Sequence, residues 1–197
     1  MIAWGFELGF KEGALTPVQF AAKAKAMGYQ WAALELDAYD NAARWGPFRL
    51  SCQGAGLKAG PWYTEGGNVS QTPTDADFTI AEVESEEDRL GVLAATVPAG
   101  IRKAIITNFT PMTDGQGVPQ PEKAKPLIDA GWECLTEAYL GDSPGMNPDD
   151  MNFRATQQLG WTRSQPVFGI WNYPLSGYQQ YVERFPAYGI YLAEYLL

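Results

Sequence analysis

Eight short apolar runs recur along this chain at nearly even intervals. They start at residues 2, 31, 58, 77, 102, 132, 165 and 188, with spacings of 29, 27, 19, 25, 30, 33 and 23. A hairpin needs only a few residues between strands, whereas intervals of this length fit crossovers that carry a helix and return the chain parallel. Eight parallel strands joined by seven right-handed crossovers are the number that closes into a (β/α)8 barrel. The alternative is an open doubly wound sheet, but no Gly-rich phosphate loop follows the first strand. The reading is a single α/β domain over residues 1–197. It is a small TIM-like barrel with the third crossover helix and the final helix reduced or missing.

Strands are expected at Ile2–Gly9, Trp31–Asp37, Lys58–Tyr63, Asp77–Val83, Arg102–Thr107, Glu133–Ala138, Gln165–Trp171 and Gly189–Leu196. Thr16-Pro17 opens the first helix with a hydroxyl cap and a first-position proline, and Gly28 stops it. Further helices are expected at Asn41–Gly54, from Ser85 to about Val97, and at Pro121–Ala130, Pro148–Leu159 and Leu175–Phe185. Acids head the Ser85 helix, where they complement its dipole. Gly66–Thr74 has no helical period, so the strands beside it are expected to lack a covering helix. That flank and the end of the last strand are the expected places for attachment to a larger assembly, because apolar strand backs there would meet water.

Composition narrows the chemistry. The 197 residues include no histidine, which removes Ser-His-Asp and Cys-His machinery, His-ligated zinc and imidazole proton shuttling. A net charge of −9 and a pI near 4.5 argue against nucleic acid, which selects a basic face. No apolar run is long enough to span a membrane, and the N-terminus lacks the basic and long apolar regions of a signal peptide. Cys52 and Cys134 are 82 residues apart, one in an expected helix and one in an expected strand. They read as two free thiols, with one disulfide as the alternative.

In parallel barrels the working site is built at the C-terminal ends of the strands, and here those ends are acidic. Glu7 ends the first strand, Glu35 and Asp37 the second, Glu82 and Glu84 the fourth, Glu137 the sixth and Glu194 the eighth, while the third runs into Glu65. Asn108 ends the fifth strand and Trp171-Asn172 the seventh. Side chains alternate along a strand, so Leu34 and Leu36 are expected under the helices with Glu35 and Asp37 in the mouth. The same rule sets Phe6 and Leu8 apart from Gly5 and Glu7, and puts Glu82 and Glu84 on one face. Clustered carboxylates raise one another's pKa and cost stability unless they are used. A pair can serve a glycosidic bond as acid and base or acid and nucleophile. A cluster can also hold Mg²⁺ or Ca²⁺, or bind sugar hydroxyls without catalysis. Trp62, Tyr63, Tyr139, Trp171, Tyr173 and Tyr191 lie near the same ends and favour sugar, whose apolar faces stack on aromatic rings.

The segments AWGFELGF, GPWYTEGG, DFTIAEVES, ITNF, QQLGW, PVFGIWN and YLAEYLL together resemble the glycoside-hydrolase-like TIM barrels of bacteriophage tail proteins, notably those of phages infecting actinobacteria. The resemblance implies a virion protein of the tail or its tip, made in the host cytoplasm without a signal peptide. Its implied partners are a host cell-wall or surface glycan and other virion proteins, with no nucleic acid, no membrane insertion and no cofactor. In many barrel glycosidases the catalytic carboxylates end strands four and seven. Glu84 or Glu82 fits the first place; strand seven offers only Trp171-Asn172, so Glu137, Glu194 or the Glu35/Asp37 pair must supply the partner. The implied catalytic set is Glu84 with Glu137 or Asp37. Glu7, Glu35, Trp62, Tyr63, Glu82, Asn108, Trp171, Asn172 and Glu194 line the substrate site, and no metal ligand is assigned. A non-catalytic barrel serving as an interaction module is the alternative.

Overall fold

The structure is a computed structural model that describes residues 2–5, 15–26, 28–36, 41–107, 109–139, 153–162, 164–169 and 189–191. Its centre is an eight-stranded parallel sheet in sequential order, β1 to β8. The strands are β1 (Ile2–Gly5), β2 (Trp31–Leu36), β3 (Lys58–Tyr63), β4 (Phe78–Glu82), β5 (Arg102–Thr107), β6 (Glu133–Tyr139), β7 (Ser164–Gly169) and β8 (Gly189–Tyr191). Among the described residues, four α-helices lie in the crossovers: α1 (Pro17–Ala26), α2 (Asn41–Gly54), α3 (Glu86–Ala94) and α4 (Pro121–Asp129). Laid flat, β1 and β8 would stand about 34 Å apart at the usual strand spacing. Instead, Cα atoms of the two strands approach within 8 Å, so the sheet is strongly curled.

Period-two alternation divides the sheet's side chains between two apolar layers. Ala32, Leu34 and Leu36 of β2 pack with Phe20, Ala24, Phe48 and Cys52 of α1 and α2 on the convex side. Ala33, Trp62, Phe78, Ile80, Ala104, Ile106 and Leu135, from β2 to β6, form a second cluster on the concave side. Gly60 makes room there, since a Cβ on it would stand 2.5 Å from the Phe78 ring. At the N-terminal end, Lys58 and Arg102 lie over the Trp31 ring, at 4.8 and 5.0 Å from its centre, with Phe78 5.3 Å away.

The third crossover has no α-helix, as its composition requires, but it is not bare. Gly66–Gln71 forms a 3-10 segment that buries Val69 completely. Thr72 fastens its end, with its hydroxyl 2.6 Å from the Val69 carbonyl and 2.9 Å from the Thr79 hydroxyl on β4. The expectation of an exposed strand flank is therefore overturned. The nineteen-residue interval is too short for a helix but long enough for a short coil pinned by hydroxyls. Nearby, Asp77 extends the β3–β4 ladder: its carboxylate accepts from Ala59 N at 2.9 Å and pairs with Arg49 of α2 at 3.5 Å.

The expected helix from Ser85 to about Val97 is shorter, because Pro98 forces the residues before it away from helical backbone. Ser85 is its cap, and Ala95 is already extended. Within the expected helix Pro148–Leu159, the described residues form a π-helical turn, Arg154–Gln158. The expected helix Leu175–Phe185, and the ends proposed for strands one, seven and eight, lie outside the described residues. Cys52 and Cys134 are both buried free thiols.

Candidate functional site

The strand register arranges the candidate acids. Glu35 of β2 pairs with Trp62 of β3, and Trp62 with Ile80 of β4; two residues further along β4 stands Glu82. Glu82 pairs with Ile106 of β5, and Ile106 with Leu135 of β6; two residues further stands Glu137. Glu137 pairs with Val167 of β7, and Val167 with Gly189 of β8; two residues further stands Tyr191. A two-residue step keeps a position on the same face. On β2, β4 and β6 a glutamate thus recurs at two-residue steps, as does Tyr191 on β8, and Glu35 and Glu82 stand on the face of the concave cluster.

Glu35 and Glu82 are both half-buried and both engaged with neighbouring groups. Beside Glu35 on β3, Trp62 is 4 % exposed and packs in the concave cluster with Ile80 and Ile106. Tyr139 of β6 shares a register line with Gly169 and Tyr191.

Glu84 does not continue β4. The strand ends at Glu82, and Glu84 is exposed on the following loop, so the expected sharing of one strand face with Glu82 is not realised. Nor is it the helix cap. Ser85 caps α3 and forms a reciprocal box with Asp88. The Asp88 carboxylate accepts from Glu84 N, Ser85 N and Ser85 Oγ at 3.3, 3.0 and 2.6 Å, and from Gly66 N at 3.2 Å on the β3–β4 connection. Asp88 therefore joins the two loops that carry Glu65 and Glu84. The sequence signal for it, an acid three residues after a serine cap, is a known one.

Tyr63 is a second displacement. It pairs with Leu36 and Ala81 and is fully buried on the convex, helix-side layer, because it follows Trp62 and alternation sends it to the other face. Burial pushes its phenol up to about 12, opposed by the Thr72 hydroxyl beside it. In β1, Trp4 and Gly5 pair with Ala33 and Leu34 of β2, while Phe6 and Leu8, on which the expected grouping rests, lie outside the described residues. Glu7, Asp37, Asn108, Trp171, Asn172 and Glu194 lie outside the described residues. Among the described residues no three acidic or thiol side chains converge as a metal-binding group, and no helix is long and apolar enough to cross a membrane.

No family profile and no curated protein matches this chain. Among solved structures, a zinc-bound amidohydrolase from Burkholderia ambifaria is similar over 78 % of this chain and 46 % of its own, with 12 % identity and a TM-score of 0.39. The chain thus spans about half the length of that neighbour.

Proposed function

We propose that the curled sheet is a closed (β/α)8 barrel whose C-terminal mouth engages a glycan through Glu35, Glu82 and Glu137. The observation that carries this reading is the stepped glutamate on three alternate strands. An eight-stranded barrel of shear eight advances two residues for every second strand and builds its interior layers from alternate strands. A glutamate recurring at two-residue steps on β2, β4 and β6 fits that advance, and the approach of β1 to β8 is compatible with closure. In such a barrel the three glutamates and Tyr191 form one layer, resting on Trp62, Ile106 and Val167 from the odd strands.

Carboxylates gathered in one layer push their pKa values apart, which lets one act as proton donor while another stays ionised. That division of roles is what hydrolysis of a glycosidic bond demands. Glu82, at the end of β4 and half-buried, is the proposed acid/base, with Glu35 or Glu137 as its partner; exposed Glu84 contacts substrate from the loop above. The resemblance carried by AWGFELGF, GPWYTEGG and DFTIAEVES supports a place in a bacteriophage tail and a host wall or surface glycan as target.

Release of reducing ends from bacterial wall and surface polysaccharides tests the enzymatic reading. Glu82→Gln is expected to lower turnover at least a hundredfold while Glu84→Gln retains most of it; full activity in the Glu82 variant overturns the assignment. The burial of Trp62 favours a second reading, a barrel that binds glycan or neighbouring virion proteins without turnover. It is upheld if no polysaccharide is cleaved and Glu35→Gln weakens glycan retention.

A further inference from the structure

The least expected surface of the molecule is the groove between α1 and α2. Its volume is about 490 Å³, and Val18, Ala22, Leu50, Ser51, Gly54 and Ala55 line it. Val18 and Leu50 stand 67 % and 69 % exposed on its two sides. The small residues between them leave room for an inserted side chain and for a helix backbone to approach. The two helices that form it are basic in sequence. Helices α1 and α2 contain Lys23, Lys25, Arg44 and Arg49 and no acid, in a protein of net charge −9. Lys25 stands at the groove's end, its ammonium 3.8 Å from where a Cβ on Gly56 would lie.

A complementary surface exists on another part of the same chain. Helix α3 opens with Glu86, Glu87 and Asp88 and has no base in its last turn. Leu90 on it is 52 % exposed, and Glu87, three residues earlier and exposed, shares its face. Glu86 is occupied by Arg89 at 2.7 Å and Lys123 at 3.9 Å, and Asp88 by the loop contacts above, which makes Glu87 the acid that accompanies Leu90 outward.

We infer that the α1/α2 groove of one copy docks α3 of a second copy, with Leu90 between Val18 and Leu50 and Glu87 facing Lys25. The two surfaces differ, so the contact is head-to-tail and each copy keeps one of each face for further copies. Like charge repels two molecules of −9, so the local pairing of opposite charge sets which faces meet.

Sedimentation equilibrium over a concentration series tests this on the whole chain. The wild type is expected to rise above the single-chain mass of 21.6 kDa. Leu50→Glu and Leu90→Glu alter exposed side chains, so each is expected to keep the wild-type circular dichroism while remaining at the single-chain mass. An equal mixture of the two still holds one intact groove and one intact α3 and is expected to reach twice that mass and no more. Lys25→Glu is expected to weaken association and Lys25→Glu/Glu87→Lys to restore it. A wild type that stays at one chain at every concentration, association unaffected by Leu50→Glu, or a mixture that fails to pair overturns the inference.

Discussion

Arg102 of β5 lays its guanidinium 5.0 Å from the ring centre of Trp31, three strands away on β2, while its Nε and Nη2 hold both oxygens of Glu133 on β6 at 2.9 and 2.6 Å. Strands three places apart in a flat sheet are about 14 Å distant. The contact therefore depends on the curl of the sheet and ties three strands together at its N-terminal end.

Arg102→Ala is expected to cost about 1–2 kcal/mol, the sum of a partly exposed ion pair and a cation–π contact. Arg102→Lys is expected to recover only part of it, because an ammonium keeps the charge and loses the two-pronged fit to Glu133. Urea denaturation monitored by tryptophan fluorescence measures both.

The cap of α3 makes a graded prediction. Ser85→Ala removes one side of the reciprocal box and is expected to cost about 1 kcal/mol. Asp88→Ala also releases Gly66 N and Glu84 N, two backbone donors on different loops, and is expected to cost about 2 kcal/mol. Equal losses from the two variants would deny Asp88 its hold on the β3–β4 connection. Thermal melts decide.

At Gly60 a side chain has no space, since even a Cβ would meet the Phe78 ring at 2.5 and 2.6 Å, with the Phe78 carbonyl oxygen closer still. Gly60→Ala is expected to cost about 3 kcal/mol, the upper end of overpacking. At roughly 2–4 °C per kcal/mol for a chain of this size, that lowers the melting temperature by roughly 6–12 °C.

Alkali should unfold this protein through its buried acids of high pKa. Burial pushes the Cys52 thiol from 9.0 up to about 12 and the Tyr63 phenol from 10.0 up to about 12, and raises Cys134 as well. The folded chain thus retains protons that the unfolded chain releases above pH 9 to 10, and stability is full below that range. It falls as pH rises toward 12, by about 1.4 kcal/mol per pH unit for each group ionised only when unfolded. Denaturation midpoints between pH 8 and 11 check the direction. Both thiols are also expected to resist alkylation at pH 8 until denaturant is added.

The alternation in WAALELD predicted which side chains of β2 pack under helices because an acid every second residue marks one face: Leu34 and Leu36 do so. Tyr63 follows the rule it was read against. As the neighbour of Trp62 it belongs to the opposite layer, by the same alternation that sorts Glu35 from Leu34 and Leu36.

By itself the sequence determined how many strands there are and roughly where each begins. Helical and extended periods, capping residues and turn residues act over a few neighbours, so they are written locally. Only the tertiary structure decided which residue lies beside which on adjacent strands. That register arises from packing between segments distant in the chain, and the intervals of 19 to 33 residues do not encode it. The register sets Glu35 beside Trp62 and Glu82 beside Ile106, and the end of β4 at Glu82 leaves Glu84 on a loop. The apolar groove between α1 and α2, likewise, exists only because the helices of two successive crossovers pack side by side over β2.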